Sequence, residues 1–314
     1  MGIANIFKKQ GGFSLLRKYV YNHVLLYAIF VFIILPKNKT GLELFRECIN
    51  LKIYSKIKRK YGKLVSHAEV ITKPDVEKPK IIWFCWFQGW ENAPPLVHDC
   101  YKSIEKHCAG YEIRIITENN FSDFADIPKF IIKKWKSGII THAHFSDILR
   151  TALLIKNGGI WIDSTVFFTA AIPSDIEKSS LFMFRTYKPG SNGKATTLSS
   201  WFVSAQKGNP VLILAQKLLY EYWKNHNYLC DYFLFHIFVQ IALETLPEEA
   251  IKIPKYTNET PHFMLFELGN EFNQEKWNCI TSQSFCHKLT NKLEESVKLQ
   301  EGTFYKKIFG ELQP

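Results

Sequence analysis

The residue types able to do chemistry in this 314-residue chain gather in a few short stretches. In "KNGGIWIDSTVFF", Lys156 to Phe168, the apolar residues Ile160, Trp161, Ile162, Val166, Phe167 and Phe168 are interrupted by Asp163, Ser164 and Thr165. A carboxylate in such a run loses much of its hydration unless it is paired, exposed at a strand end, or holding a cation. An Asp at a strand end with small polar neighbours can hold a divalent cation whose other ligands are phosphate oxygens and water. Asp147 and Arg150 lie three residues apart, a spacing that puts them on one helix face. The planar donors of Arg150 suit phosphate or sugar oxygens. A third stretch, "WFQG", runs from Trp86 to Gly89. His142 and His144, ahead of a helix, read as cap or core residues rather than ligands.

The elements that must position these groups follow from periodicity. "IIWFCWF" (81–87) predicts a buried strand, 94–107 a helix, "YEIRIIT" (111–117) an alternating strand, and 130–137 a helix. Between 143 and 156, Phe145, Ile148, Leu149, Ala152 and Leu153 share one helical face, and Asn157-Gly158-Gly159 ends that helix before the strand "GIWID". Further strands are expected at 181–185 and 200–206, flanking the polar loop "YKPGSNGKATTLSS". Helices are expected at 210–225 and 231–245, and an irregular tail from Lys252. Strands alternating with helices imply an α/β fold with a largely parallel sheet flanked by helices on both faces. In such a sheet ligands sit beyond the carboxyl ends of the strands, where Trp86 and Asp163 fall.

Charge divides the chain. Residues 1–78 hold 15 Lys and Arg against 5 Asp and Glu, whereas residues 79–314 hold 25 against 24. A nucleic-acid binder more often spreads positive charge over its folded surface, so no nucleic-acid partner is expected. The basic quarter also carries the most apolar run, "YVYNHVLLYAIFVFIIL", Tyr19 to Leu35, followed by a dense series of lysines and arginines. This predicts a helical N-terminal segment (1–78) that associates with an anionic membrane surface, docking on it rather than spanning it, with the body on the cytoplasmic side. Packing of the run on the body is the alternative. "TKPDVEKPK", Thr72 to Lys80, has linker composition and leads into one domain, residues 79–314. Seven cysteines without a CxxC pair favour free thiols. No GxGxxG follows a strand, which argues against a dinucleotide-dependent reductase.

"SDILRTALLIKNGGIWIDSTVF" resembles the SD-x-LR…GG-x-[YW]-x-D signature of glycosyltransferases with sugar-binding DXD motifs, namely glycosyltransferase family 32 and the glucosylating clostridial toxins. The longer run from "IIWFCWFQGWENAPPLVHDCYKSIEKH" through "ITHAHFSDILR" resembles the bacterial capsular polysaccharide synthesis proteins of that group, over about residues 80–170. The resemblance implies a GT-A-like fold, a nucleotide-sugar donor, most simply a UDP-sugar, and transfer with retention. It implies a glycan or lipid-linked oligosaccharide acceptor, and work at the cytoplasmic face of the inner membrane. By position Trp86 matches the tryptophan stacked on the nucleobase. Asp147 and Arg150 match the pair touching ribose and sugar, and Asp163 the first Asp of DXD. Gln88, Gly89, Gly159, Ser164 and Thr165 complete the implied donor site. Mn2+ or Mg2+ is the implied cofactor, with Asp163 and Thr165 as ligands. Thr165 stands where the wider group has Asp, and offers only a neutral oxygen. From the tail, His287 would be a late metal ligand and Lys288 a phosphate-binding cation. Asp231, opening "DYFLFHIF", reads as a helix N-cap or as a catalytic carboxylate facing sugar or acceptor, beside Asp163 and Arg150. A nucleotidyltransferase and a non-catalytic scaffold of a synthesis complex are the alternatives.

Overall fold

The computed structural model describes residues 12–66, 78–187 and 196–310. Seven strands are described: β1 (Ile81–Cys85), β2 (Glu112–Ile116), β3 (Gly159–Ile162), β4 (Val166–Phe168), β5 (Leu181–Arg185), β6 (Leu198–Ala205) and β7 (Cys286–Lys288). Five form the central sheet in the order β2-β1-β3-β6-β5. β1, β2 and β3 are parallel, β6 is antiparallel to β3, and β5 is antiparallel to β6, so four of the five run one way. This is the mixed, largely parallel sheet expected from the alternation of elements. β4 and β7 pair separately as a small antiparallel sheet.

Period-two alternation divides the core between the two faces of the sheet. On β1, Trp83 enters one apolar cluster while Ile82 and Phe84 enter the other; on β3, Trp161 joins Trp83, and Ile160 and Ile162 join Phe84. Counting helices of eight residues or more, the chain forms α1 (Gly12–Tyr21), α2 (Leu25–Ile34), α3 (Lys39–Tyr61), α4 (Pro95–His107), α5 (Lys129–Lys136), α6 (His142–Asn157), α7 (Pro210–Asn225), α8 (Leu234–Thr245) and α9 (Gln274–Gln283). The Trp83 face packs against α6, α7 and α8, and the other against α4. α6 stops at Gly158, whose φ of 77° and close approach to Lys207 N exclude a side chain. The tail is more ordered than the sequence suggests: Ile280 of α9, Leu289 just after β7, and Phe304, Ile308 and Phe309 join a third cluster.

The apolar run from Tyr19 to Leu35 is not one helix. α1 ends at Tyr21, His23 takes a φ of 51°, and α2 starts at Leu25. Asn22 makes the break: its side-chain amide donates to Lys18 O at 2.9 Å and to Cys230 O at 2.8 Å, competing with the helical backbone. No described helix is long and apolar enough to cross a membrane. α3 packs on the body through Ile49, Ile53, Tyr54, Ile57 and Tyr61, with Tyr54 and Lys58 both bonded to Glu244. α2 buries Ala28 and Val31 yet leaves Leu26, Ile29, Phe30, Ile33 and Ile34 exposed along one stripe. The proposed linker falls largely on residues 67–77 and the polar loop on residues 188–195, both outside the described residues.

Candidate active site

β3 ends at Ile162, and the polar triplet after it is a turn closed by Val166 N donating to Asp163 O at 3.1 Å. The chain then enters β4, whose pairing with β7 sets Val166 opposite Lys288; Leu289 N donates to Thr165 O at 2.8 Å. Residues distant in sequence are thereby fixed beside the turn. Lys288 Nζ donates to Thr165 Oγ1 at 2.5 Å and lies 3.5 Å from Asp163 Oδ2. The other oxygen of Asp163 accepts from Trp161 Nε1 at 2.9 Å and lies 3.3 Å from an Arg150 nitrogen.

α6 delivers the second half of the site. Thr141 caps it, leaving His142 exposed and His144 buried against Trp223 Nε1, so neither histidine meets a metal-ligand cluster among the described residues. Arg150 is almost fully buried and spreads its donors over Ser200 O at 2.6 Å, Ser146 Oγ at 3.1 Å and the carboxylates of Asp147 and Asp163, with its plane 4.9 Å from the Trp161 ring. Burial alone would raise the Asp147 carboxyl, but Arg150, at 3.2 Å, and His144 and His236 outweigh it and hold it below the usual carboxylate range. Asp147 and Arg150 are therefore a buried pair rather than the surface i,i+3 pair that spacing alone allows.

These groups line one open cavity of about 720 Å³, within the size range of small-molecule sites. Trp86, Gln88, Asp147, Arg150, Asp163, Ser164, Thr165, Asp231 and Lys288 all reach it. The indole N–H of Trp86 is buried with no described hydrogen-bond partner. Asp231 forms an Asx turn, accepting from Phe233 N at 2.8 Å, so α8 starts at Leu234 and Asp231 is not its cap. Its second oxygen pairs with Lys18 of α1 at 2.7 Å.

Three expected residues are not brought to the cavity. Gly159 lies at the far end of β3, where its φ of 100° and the 2.6 Å left to Ile81 O require glycine for strand packing. Gly89 shapes the turn after Trp86, at a φ of 94°, without lining the cavity. His287 alternates away from Lys288; it is fully buried, bonds Thr169 Oγ1 at 3.0 Å, and burial pushes its pKa down to about 4.

Conversely, the cavity includes Glu47 and Asn50 from α3 and His236 from α8, which the sequence reading passed over. Glu47 and Asn50 look like any solvated helix face. Their side chains make no hydrogen bond or ion pair with a described residue. His236, a lone polar residue in an apolar helix, is held neutral by burial, its pKa lowered to about 4, and its Nδ1 has no described partner.

A divalent cation at the turn can be tested against its donors. Among the described residues the turn brings one carboxylate, Asp163, and that is engaged by Arg150 and Lys288. Thr165 Oγ1 already accepts from an ammonium, and His287 faces elsewhere. No three His, Cys, Asp or Glu among the described residues form a ligand group. This set does not fit a divalent cation.

The model of the capsular polysaccharide synthesis protein family matches residues 38–308. The chain belongs to that family. The match begins at α3, so the helix that supplies Glu47 and Asn50 lies inside the family's span along with the sheet. No curated protein matches the chain. Among solved structures it is similar to the PaToxG glycosyltransferase at 16% identity and a TM-score of 0.41, covering 64% of this chain and 80% of that one. It is also similar to glycosyltransferase GlyE of Streptococcus pneumoniae TIGR4, in an apo form and a second structure. Each is 12% identical at a TM-score of 0.36, covering 74% of this chain and 63% of that chain.

Proposed function

We propose that this family member is a glycosyltransferase that moves a sugar from a nucleotide-sugar donor, most simply a UDP-sugar, onto a growing capsular glycan or its lipid-linked precursor. The observation that carries this reading is the convergence of Trp86, Asp147, Arg150, Asp163 and Lys288 on one cavity. Trp86 offers a ring face to the base. Asp147 and Asp163 accept from ribose and sugar hydroxyls, and Lys288 faces the diphosphate with the buried Arg150 charge behind it. As the glycosidic bond breaks, negative charge builds on that leaving group. Cations fixed by buried partners stabilise it more than the ground state and need no reorganisation. The acceptor hydroxyl attacks from the face the diphosphate leaves, so the configuration is retained and no protein nucleophile is needed.

The acceptor enters on the side walled by Glu47, Asn50, Asp231 and the exposed rings of Tyr232 and Phe233. The same α1–α3 segment carries the bare apolar stripe of α2, bordered by Lys37, Lys39 and Lys52. An apolar patch of this kind rimmed by basic residues suits an anionic membrane surface, here the cytoplasmic face of the inner membrane. A lipid-linked acceptor would then arrive at the wall made by the docked segment.

Calorimetric titration of the full chain with UDP, GDP and CMP tests the reading. Binding of one nucleotide, weakened by about 1–3 kcal/mol in Trp86→Ala, is expected from loss of base stacking. Binding of none of them, or an unchanged affinity in that variant, would overturn it.

A further inference from the structure

We infer that this protein holds the diphosphate of its donor without a divalent metal, with the Lys288 ammonium standing where an ion would bridge residues 163 and 165. The inference rests on the nucleotide-sugar reading of the cavity and specifies how that site handles charge.

A hard cation at a strand-end turn needs several oxygen ligands at about 2.0–2.6 Å, with carboxylates to offset its charge. This turn has Thr165 in place of a second carboxylate, and the hydroxyl is already an acceptor for Lys288 at 2.5 Å. The same Nζ is 3.5 Å from Asp163 Oδ2. An ion within ligand distance of both oxygens would lie against the ammonium, placing two like charges in contact. The Lys288 backbone is set beside the turn by the register of β7 opposite Val166 and by the Leu289 N bond to Thr165 O. Among the described residues its one carboxylate contact is Asp163. The substitution of Thr for Asp and the arrival of a lysine from the tail therefore belong together: one removes the ligand a metal needs, and the other supplies the positive charge the metal would bring. Arg150, 3.3 Å from the opposite oxygen of Asp163, makes a second cation at the same carboxylate. The diphosphate meets the Lys288 ammonium, able to form charge-assisted hydrogen bonds, with the buried Arg150 charge behind the same carboxylate.

The test uses the full chain and the nucleoside diphosphates UDP and GDP, with CMP for the remaining donor class. Each is titrated in EDTA and again in Mn2+, and the Mn2+ solution is followed by electron paramagnetic resonance. The bound nucleotide is expected to show the same Kd within about threefold in both conditions, with the free-ion signal of Mn2+ no lower with protein plus nucleotide than with the nucleotide alone, which chelates Mn2+ itself. Lys288→Ala should weaken binding in EDTA about 10- to 100-fold, the loss of one charged hydrogen-bond donor. Lys288→Arg should restore most of it, with the melting temperature reporting that both variants fold. The double variant Thr165→Asp, Lys288→Ala should acquire Mn2+-dependent affinity. A nucleotide that binds only with Mn2+, or a free-ion signal lower with protein plus nucleotide than with nucleotide alone, would overturn the inference and keep the nucleotide-sugar reading. Equal affinity of Lys288→Ala and wild type would also overturn it. Failure of every nucleotide in both conditions would instead remove the reading on which it rests.

Discussion

Replacing Arg150 by Met removes the cation at the centre of the site while keeping a side chain of similar length. The guanidinium is 3.2 Å from Asp147 and 3.3 Å from Asp163, and it satisfies Ser200 O at 2.6 Å. Asp163 keeps Lys288 and is partly exposed, but Asp147 is buried and keeps only His144, 3.4 Å away. Breaking such a buried pair costs about 3–5 kcal/mol, because the remaining charge stays desolvated. With an unfolding entropy of about 2.1 cal/mol/K per residue, a chain of this length should lose about 5–8 °C in melting temperature. The pH dependence gives the loss its signature. In the wild type the Asp147 carboxyl is held low, so its contribution is present above the unfolded carboxylate value, near 4, and is lost as pH falls through the folded value. In the variant burial acts without the guanidinium and raises that carboxyl. Its charged form is then a penalty that grows as pH rises through the raised value. The gap between the two proteins should therefore be widest at pH 7, narrow as pH approaches 4, and close only below the folded value of Asp147. Denaturant melts at pH 7.5, 6 and 4.5 would measure it. A gap of the same size at all three, or one below about 1 kcal/mol at pH 7.5, would refute the buried-pair account.

Two buried histidines should make wild-type stability fall on acidification. His236 and His287 both have folded values lowered to about 4, so unfolding takes up protons below pH 6.5 and each stabilising contribution is lost as pH falls from 6.5 towards 4. Urea melts of His287→Gln should show a pH 7-to-5 loss smaller than the wild type's by about 2 kcal/mol; an equal loss would count against it. Gly159→Ala should cost more than about 2 kcal/mol through its positive φ and the Ile81 contact, while nucleotide affinity stays unchanged. A thermal melt and a titration separate these, and a large change in affinity would restore Gly159 to the donor site. Phe30→Glu with Ile33→Glu, at positions 60% and 71% exposed, should leave the melting temperature within about 2 °C and lower affinity for phosphatidylglycerol vesicles at least tenfold. Unchanged co-sedimentation would remove α2 as the docking face.

The sequence by itself determined the elements whose signals are local. The extents of α6, β3, β5 and α7 follow to within a residue from apolar periodicity and from glycines at φ values other residues avoid, both written in adjacent residues, whereas β1 stops at Cys85, two residues before its apolar run does. The same holds for the pairing of Asp147 with Arg150 and for Asp163 at a strand end, since helical spacing and strand length place them without distant information. Other features depended on contacts across the chain. The break in the apolar N-terminal run is made by Asn22 with a carbonyl 208 residues away. Lys288 meets Thr165 across 123 residues, through two three-residue strands too short to announce themselves. Period-two alternation then decided that Lys288 faces the site and His287 does not, once the pairing of β4 with β7 fixed which face was which. Glu47, Asn50 and His236 acquired a place in the cavity only when α3 and α8 packed beside the sheet. Backbone geometry is encoded locally because it is a property of neighbouring residues, whereas the identity of a site wall depends on which surfaces fold against one another.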